Sequence, residues 1–136
     1  MCCDPEVFHK LVVDSTKEVV LANGSVVCAL GHGDVHISLV LKFGKIKSVE
    51  ISDVLFVPAL EENLLSVRKL TEKGNLVIFE GDACYIAFGR EKWNVATFGD
   101  GLYRVRARTR NRAHSAIVSK SHCVHEWHLI LAHRNL

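Results

Sequence analysis

With 136 residues, 49% of them hydrophobic, the chain can bury one compact core with a small appendage, which excludes wholesale disorder. Its apolar runs all fall short of the roughly 18 residues that cross a bilayer, so no membrane partner is expected. The formal net charge of +2 hides an asymmetry: residues 1–100 carry ten Lys/Arg against fourteen Asp/Glu (−4), and residues 101–136 carry seven against one (+6).

The opening Met1-Cys2-Cys3-Asp4-Pro5 has neither a basic n-region nor an apolar h-region. An intracellular protein of cytoplasm or nucleus is therefore expected, not a secreted one. The five cysteines (Cys2, Cys3, Cys28, Cys84, Cys123) are odd in number and scattered, which suits free thiols. Residues 17–30 read as a hairpin, with Val19-Val20-Leu21 and Val26-Val27-Cys28 around Asn23-Gly24. Gly31-His32-Gly33-Asp34 is expected to break the chain. Val35, Ile37, Leu39, Leu41 and Phe43 then alternate as one face of a strand, which Gly44-Lys45 turns. Ile46, Val49, Ile51 and Val54–Val57 continue as strand until Pro58 ends the ladder. A helix is expected next, with Asn63 as N-cap, an apolar stripe of Leu64, Leu65, Val67 and Leu70, and Gly74 at C′. Strands Leu76–Phe79, Ala83–Phe88, Trp93–Phe98 and Leu102–Arg108 follow, punctuated by glycines. Residues 109–121 read as a linker, and residues 122–136 as the start of a helix. Many short strands, glycine turns and one helix indicate an all-β barrel or sandwich.

One string is more specific. Asp53-Val54-Leu55-Phe56-Val57-Pro58, then Asn63-Leu64-Leu65-Ser66-Val67, resembles the "DVLYVP…NLLSV" signature of the Pol polyproteins of copia-type LTR retrotransposons. Leu21-Ala22-Asn23-Gly24 resembles that family's "LANG" hairpin, and Gly31-His32-Gly33-Asp34-Val35 its "G-x-G-x-V" turn. The order of the pieces makes the likeness specific. It implies a retropepsin-like aspartic protease barrel leading towards integrase. Such chemistry needs two carboxylates at close range sharing a proton, each held in an Asp-Ser/Thr-Gly turn. The resemblance aligns Met1–Phe8 with the residues that follow this turn, so the family's catalytic Asp is expected just upstream of Met1. Asp14-Ser15-Thr16 is not the motif, because Thr16 replaces the glycine of the tight turn. No catalytic residue is assigned within the chain. Leu64-Leu65 would be the apolar pair that supports the active-site loop from behind.

Trp127-His128-Leu129-Ile130-Leu131-Ala132-His133 resembles the "WH-x-R-L-G-H" start of the integrase zinc-binding region, with Ile130 in place of Arg and Ala132 in place of Gly. There two histidines and a later Cys-x-x-Cys hold one zinc. His128 and His133 offer only a half-site, with no Cys-x-x-Cys after them, so zinc belongs to the full-length family and no cofactor is expected in this chain. A rival set of His122, Cys123, His125 and His128 spreads over several helix faces and is read as coincidence.

Arg104, Arg106, Arg108, Arg110 and Arg112 recur at every second residue, which lines them along one face of an extended strand. They form either a phosphate-backbone stripe or the charged guard of an edge strand. Beyond Tyr103, no interleaved aromatic supports base stacking.

The expected organisation is an N-terminally truncated retropepsin-like β-barrel with one helix over residues 1–74. A small β-rich pre-integrase segment (75–108), a linker (109–121) and a short C-terminal helix opening a truncated zinc region (122–136) follow. The expected function is that of a Pol fragment, inactive alone, from a family that performs aspartic-type Gag-Pol processing and DNA integration. The alternative is a domesticated, non-catalytic β-barrel that binds a protein or an RNA/DNA backbone. Candidate partners are a second copy through the barrel and nucleic acid through the basic arm.

Overall fold

The structure is a computed structural model in which residues 1–109, 124–130 and 134–135 are described, the last two stretches by their backbone. It is mainly β, predominantly antiparallel and barrel-like, with one α-helix among the described residues. The strands are β1 (Phe8–Val13), β2 (Glu18–Val20), β3 (Val26–Cys28), β4 (Gly31–Val40), β5 (Ile46–Phe56) and β6 (Asn63–Ser66). The helix α1 (Val67–Glu72) precedes β7 (Leu76–Glu80), β8 (Ala83–Phe88), β9 (Glu91–Gly99), β10 (Leu102–Thr109), β11 (Val124–Ile130) and β12 (Arg134–Asn135).

Strand β4 is the hub. It pairs with β5 along its whole length, from Gly31↔Phe56 to Val40↔Ile46. Its other side is shared by β1, opposite Gly31–Val35, and by the end of β10, opposite Ile37–Leu39. The alternation expected from Val35 onward is present: Val35, Ile37 and Leu39 are buried. It also extends backwards, because Gly31–Asp34 is strand and does not break the chain. The glycines serve close approach here. A Cβ on Gly33 would sit 1.9 Å from the Lys10 carbonyl oxygen, and one on Gly31 would sit 2.5 Å from that of Val12. Only glycine lets β1 lie this close.

The first hairpin forms where expected, with Val19↔Val27 and Val20↔Val26 paired. Its loop is wider than a two-residue turn: Leu21 N–H donates to Ser25 O at 2.8 Å, and Asn23 Oδ1 accepts from Ser25 N–H at 3.0 Å.

The helix starts later than expected. Asn63–Ser66 is strand β6, and Ser66 is the N-cap, its hydroxyl accepting from Lys69 N–H at 3.2 Å. The reason is tertiary. Leu64 N–H donates to Met1 O at 2.9 Å, and β6 runs parallel to β11 from Asn63↔Trp127 to Ser66↔Ile130. Neighbours on both sides satisfy the backbone as strand. The expected stop is correct: Gly74 N–H donates to Thr71 O and Asn75 N–H to Leu70 O, the two bonds of a Schellman motif.

The helix expected to begin in residues 122–136 is also corrected. Val124–Ile130 is strand β11, paired with β10 on one side and β6 on the other. Two flanking ladders outweigh a weak helical pattern in a segment rich in β-branched and aromatic residues.

Residues 76–109 form a meander of sequential hairpins, β7 to β10. Its last turn is Asp100-Gly101, with φ of 52° and 82°, as a tight hairpin with the strand twist requires. Sheet and core run on across position 75: Val35, Ile37 and Leu39 share one buried cluster with Ile86, Val95, Val105 and Ala107. A second, smaller cluster of Val19, Ala29 and Val57 lies under the β2–β3 hairpin.

Candidate functional site

Three constellations were expected from the sequence, and the fold treats each differently. Strand β10 buries Val105 and Ala107, at 1% and 0% exposure, so Arg104, Arg106 and Arg108 occupy its opposite face. The expected stripe is real over these three residues. Arg110 and Arg112 lie outside the described residues. The edge-guard reading does not hold, because β10 has β11 on one side and β9 and β4 on the other.

The stripe is not electrostatically uniform. Arg104 donates from a terminal guanidinium nitrogen to Asp100 Oδ2 at 3.3 Å, while its Nε is buried with no partner. Arg104 and Arg106 line an open groove of about 860 Å³ that also contains Glu80, Asp82, Asn94 and Thr97. Acids beside two of the three arginines weaken any attraction for phosphate. Arg106 and Arg108 are exposed, and neither is among the ion pairs of the described residues.

The zinc half-site is only partly located. His128 stands opposite Arg104 in the β10–β11 register, and His125 opposite Ala107. His133, His122 and Cys123 lie outside the described residues. Because 124–130 is strand, the helix-face argument does not apply to His125 and His128.

Asp14 sits in the loop between β1 and β2, where its Oδ1 accepts from Thr16 N–H at 3.0 Å. Hydrogen bonds from the Thr16 side chain and backbone hold its carboxyl below the ordinary range. That is a carboxylate kept ionised by the hydrogen bonds of its own loop. Two buried thiols are also quiet. Burial pushes Cys2 up to about 12 and Cys84 up to about 11, which keeps both protonated and poorly nucleophilic at neutral pH.

The barrel-closing string has the most defined geometry. Cys2 N–H donates to Leu55 O and Val57 N–H donates to Cys2 O, both at 2.8 Å. On the other flank, Cys3 N–H donates to Asn63 Oδ1 at 3.0 Å. Residues 1–3 are thus laced between the end of β5 and the start of β6. Asn63 is the one buried polar residue recorded among the described residues, and its side chain substitutes for a backbone acceptor. Leu65 packs in the same cluster as Cys2. A cavity of about 200 Å³ opens beside this seam, with Ile37, Val49, Ile51 and Leu65 in its wall and Lys69 and Lys73 of the helix region at its edge.

Comparison with known families meets this same region. Residues 1–75, more than half the chain, match the family model described as Pol polyprotein, β-barrel domain. The chain belongs to this family. No curated protein and no solved structure matches it. In this Pol β-barrel domain the Asp53–Val67 string is the seam itself: the end of β5, the turn at Pro58, strand β6 and the N-cap of α1. Sequence reasoning located the string but misassigned Asn63. The buried position of that residue, between acidic Glu61-Glu62 and apolar Leu64-Leu65, carries no local signal that separates a cap from a strand. It also missed the approach of His9 to Asp34 and Glu50, three residues on separate strands that no sequence spacing links.

Proposed function

We propose that the chain carries the barrel of a copia-type Pol polyprotein and serves there as scaffold, without peptidase activity of its own. The supporting observation is the family match over residues 1–75, a range that includes the seam of residues 1–3, 55–57 and 63–66. In the family this seam is expected to brace a retropepsin-type active-site loop, with Leu64-Leu65 behind it. The 136 residues contain no Asp-Ser/Thr-Gly, and Asp14 is an ionised loop acid. Dimeric aspartic-type Gag-Pol maturation and DNA integration are therefore assigned to the polyprotein. Residues 75–108 are assigned to its pre-integrase segment and residues 122–136 to the start of its zinc region, with His128 and His133 as half of the metal site. The test is incubation of the purified chain with Gag-Pol junction peptides. No cleavage is expected, and pepstatin-sensitive hydrolysis overturns the assignment.

A second reading has its own observation in the exposed pair Arg106 and Arg108, continued in sequence by Arg110 and Arg112. A non-catalytic module of this kind binds a nucleic-acid backbone with strong salt dependence and little sequence preference. Fluorescence anisotropy with single-stranded and duplex oligonucleotides at 50 and 200 mM salt tests it. Binding unchanged in an Arg106→Gln/Arg108→Gln variant removes it.

A further inference from the structure

We propose that His9, Asp34 and Glu50 form a binding site for a first-row divalent cation, Zn²⁺ above all, on the outer face of the β1–β4–β5 sheet. The proposal uses none of the histidines of residues 122–133.

One nitrogen and two carboxylate oxygens, one from each strand, all lie within 4.8 Å of one another. Donor atoms sharing one tetrahedral zinc at 2.0–2.2 Å stand roughly 3.4 Å apart. The exposed side chains of His9 and Glu50 close that gap by small torsional changes.

Two β-bulges create the arrangement. In the β1–β4 ladder Phe8 opposes Val35 and Lys10 opposes Asp34, so His9 is the extra residue. In a regular strand His9 and Lys10 would point to opposite faces. Here both are exposed, and His9 is turned out towards Asp34. In the β4–β5 ladder Gly33 opposes Val54 and Val35 opposes Ile51, which leaves Ser52 and Asp53 against Asp34 alone. Asp53 takes a φ of 57° there, and its N–H donates to Asp34 Oδ1 at 3.2 Å. That bond leaves Asp34 Oδ2 for a ligand. Both irregularities flank one carboxylate.

The charges are uncompensated. Two carboxylates approach each other, yet none of the ion pairs among the described residues involves Asp34 or Glu50. Lys10 opposes Asp34 in register, but the two are not among the ion pairs of the described residues. A divalent cation supplies the missing charge.

The imidazole is also braced. The His9 ring stands edge-on to His36 with centroids 6.2 Å apart, and His36 Nε2 lies 2.8 Å from Ser48 Oγ. Nitrogen with carboxylate oxygens is a donor set suited to zinc. Three protein ligands leave a coordination position for water. Bound metal would clip β1, which among the described residues pairs only with β4, to β4 and β5.

The test is Zn²⁺ titration of the full chain by calorimetry, with thermal melts and imidazole ¹H–¹⁵N spectra alongside. Wild type is expected to bind one equivalent that shifts the His9 resonances and raises Tm. Glu50→Gln and His9→Ala should each weaken that equivalent at least tenfold without moving the metal-free Tm by more than a few degrees. His32→Ala, on β4 but outside the cluster, should bind like wild type. Should His9→Ala fail to fold, Glu50→Gln and Asp34→Asn decide. Absence of Zn²⁺ binding to wild type at 100 µM overturns the proposal, as does a bound equivalent that Glu50→Gln leaves unchanged, which would place the metal among the histidines after residue 121.

Discussion

The two halves of the sheet are built on different principles. From β7 to β10 each strand pairs with its neighbour in sequence, through short turns such as Asp100-Gly101. In residues 1–75 the pairings reach further: residues 1–3 lace strands β5 and β6 together, β1 crosses to β4, and β6 waits for β11. The meander stores its instructions in turns, and the crossed half stores them in close contacts between distant backbones. Damage to a turn is thus a local strain, whereas damage to a crossing separates two elements.

The largest effect should come from Gly33→Ala. The new Cβ meets a carbonyl oxygen of β1 that cannot rotate away. A loss of more than about 3 kcal/mol, at the top of the overpacking range, is expected in urea unfolding. A loss below about 1 kcal/mol would mean that β1 is loosely held and would erase the contrast between the halves.

Asn63→Ala is next. It strips the acceptor from Cys3 N–H in a buried setting, and about 1–3 kcal/mol should be lost. Hydrogen exchange should show the residue 1–3 seam opening first while β8 and β9 keep their protection.

Alkaline pH tests one buried thiol in each half. Folding raises the Cys2 thiol to about 12 and the Cys84 thiol to about 11 from 9.0, by burial. Above pH 9 the unfolded chain gives up these protons more readily than the folded one, so stability present below pH 9 falls as pH climbs towards 11–12. Tm measured from pH 8 to 11 should fall, and Cys2→Ala and Cys84→Ala should each flatten the slope. A variant with the wild-type slope would show that its thiol is not held dry by the fold.

The smallest effect should be that of Gly101→Ala in the meander. Its φ of 82° is the left-handed region, but nothing lies within 4 Å of the added Cβ. Strain alone sets the cost, about 1 kcal/mol. A larger loss would mean that the turn carries tertiary contacts after all.

The candidate sites were legible to different degrees. The arginine alternation of residues 104–108 translated directly into one strand face, because a period of two is a property of the strand itself. Its electrostatic setting was not legible, since Glu80 and Asp82 reach the groove from another hairpin. The His9 cluster was invisible, because two bulges bring it together and a bulge depends on the register of two strands.

By itself the sequence determined the local geometry of this protein: the hairpin around Asn23-Gly24, the inward faces of β4 and β10, the glycine stop of α1 and the turns of the meander. These follow from φ/ψ preferences and alternation, which each segment carries within itself. Tertiary structure alone decided that Gly31 and Gly33 serve a crossing, that Asn63–Ser66 and Val124–Ile130 are strands, and that three donor side chains meet on one face. In each case the backbone's hydrogen-bonding groups, or the space around a missing Cβ, are satisfied by a partner distant in sequence, and no local pattern names that partner.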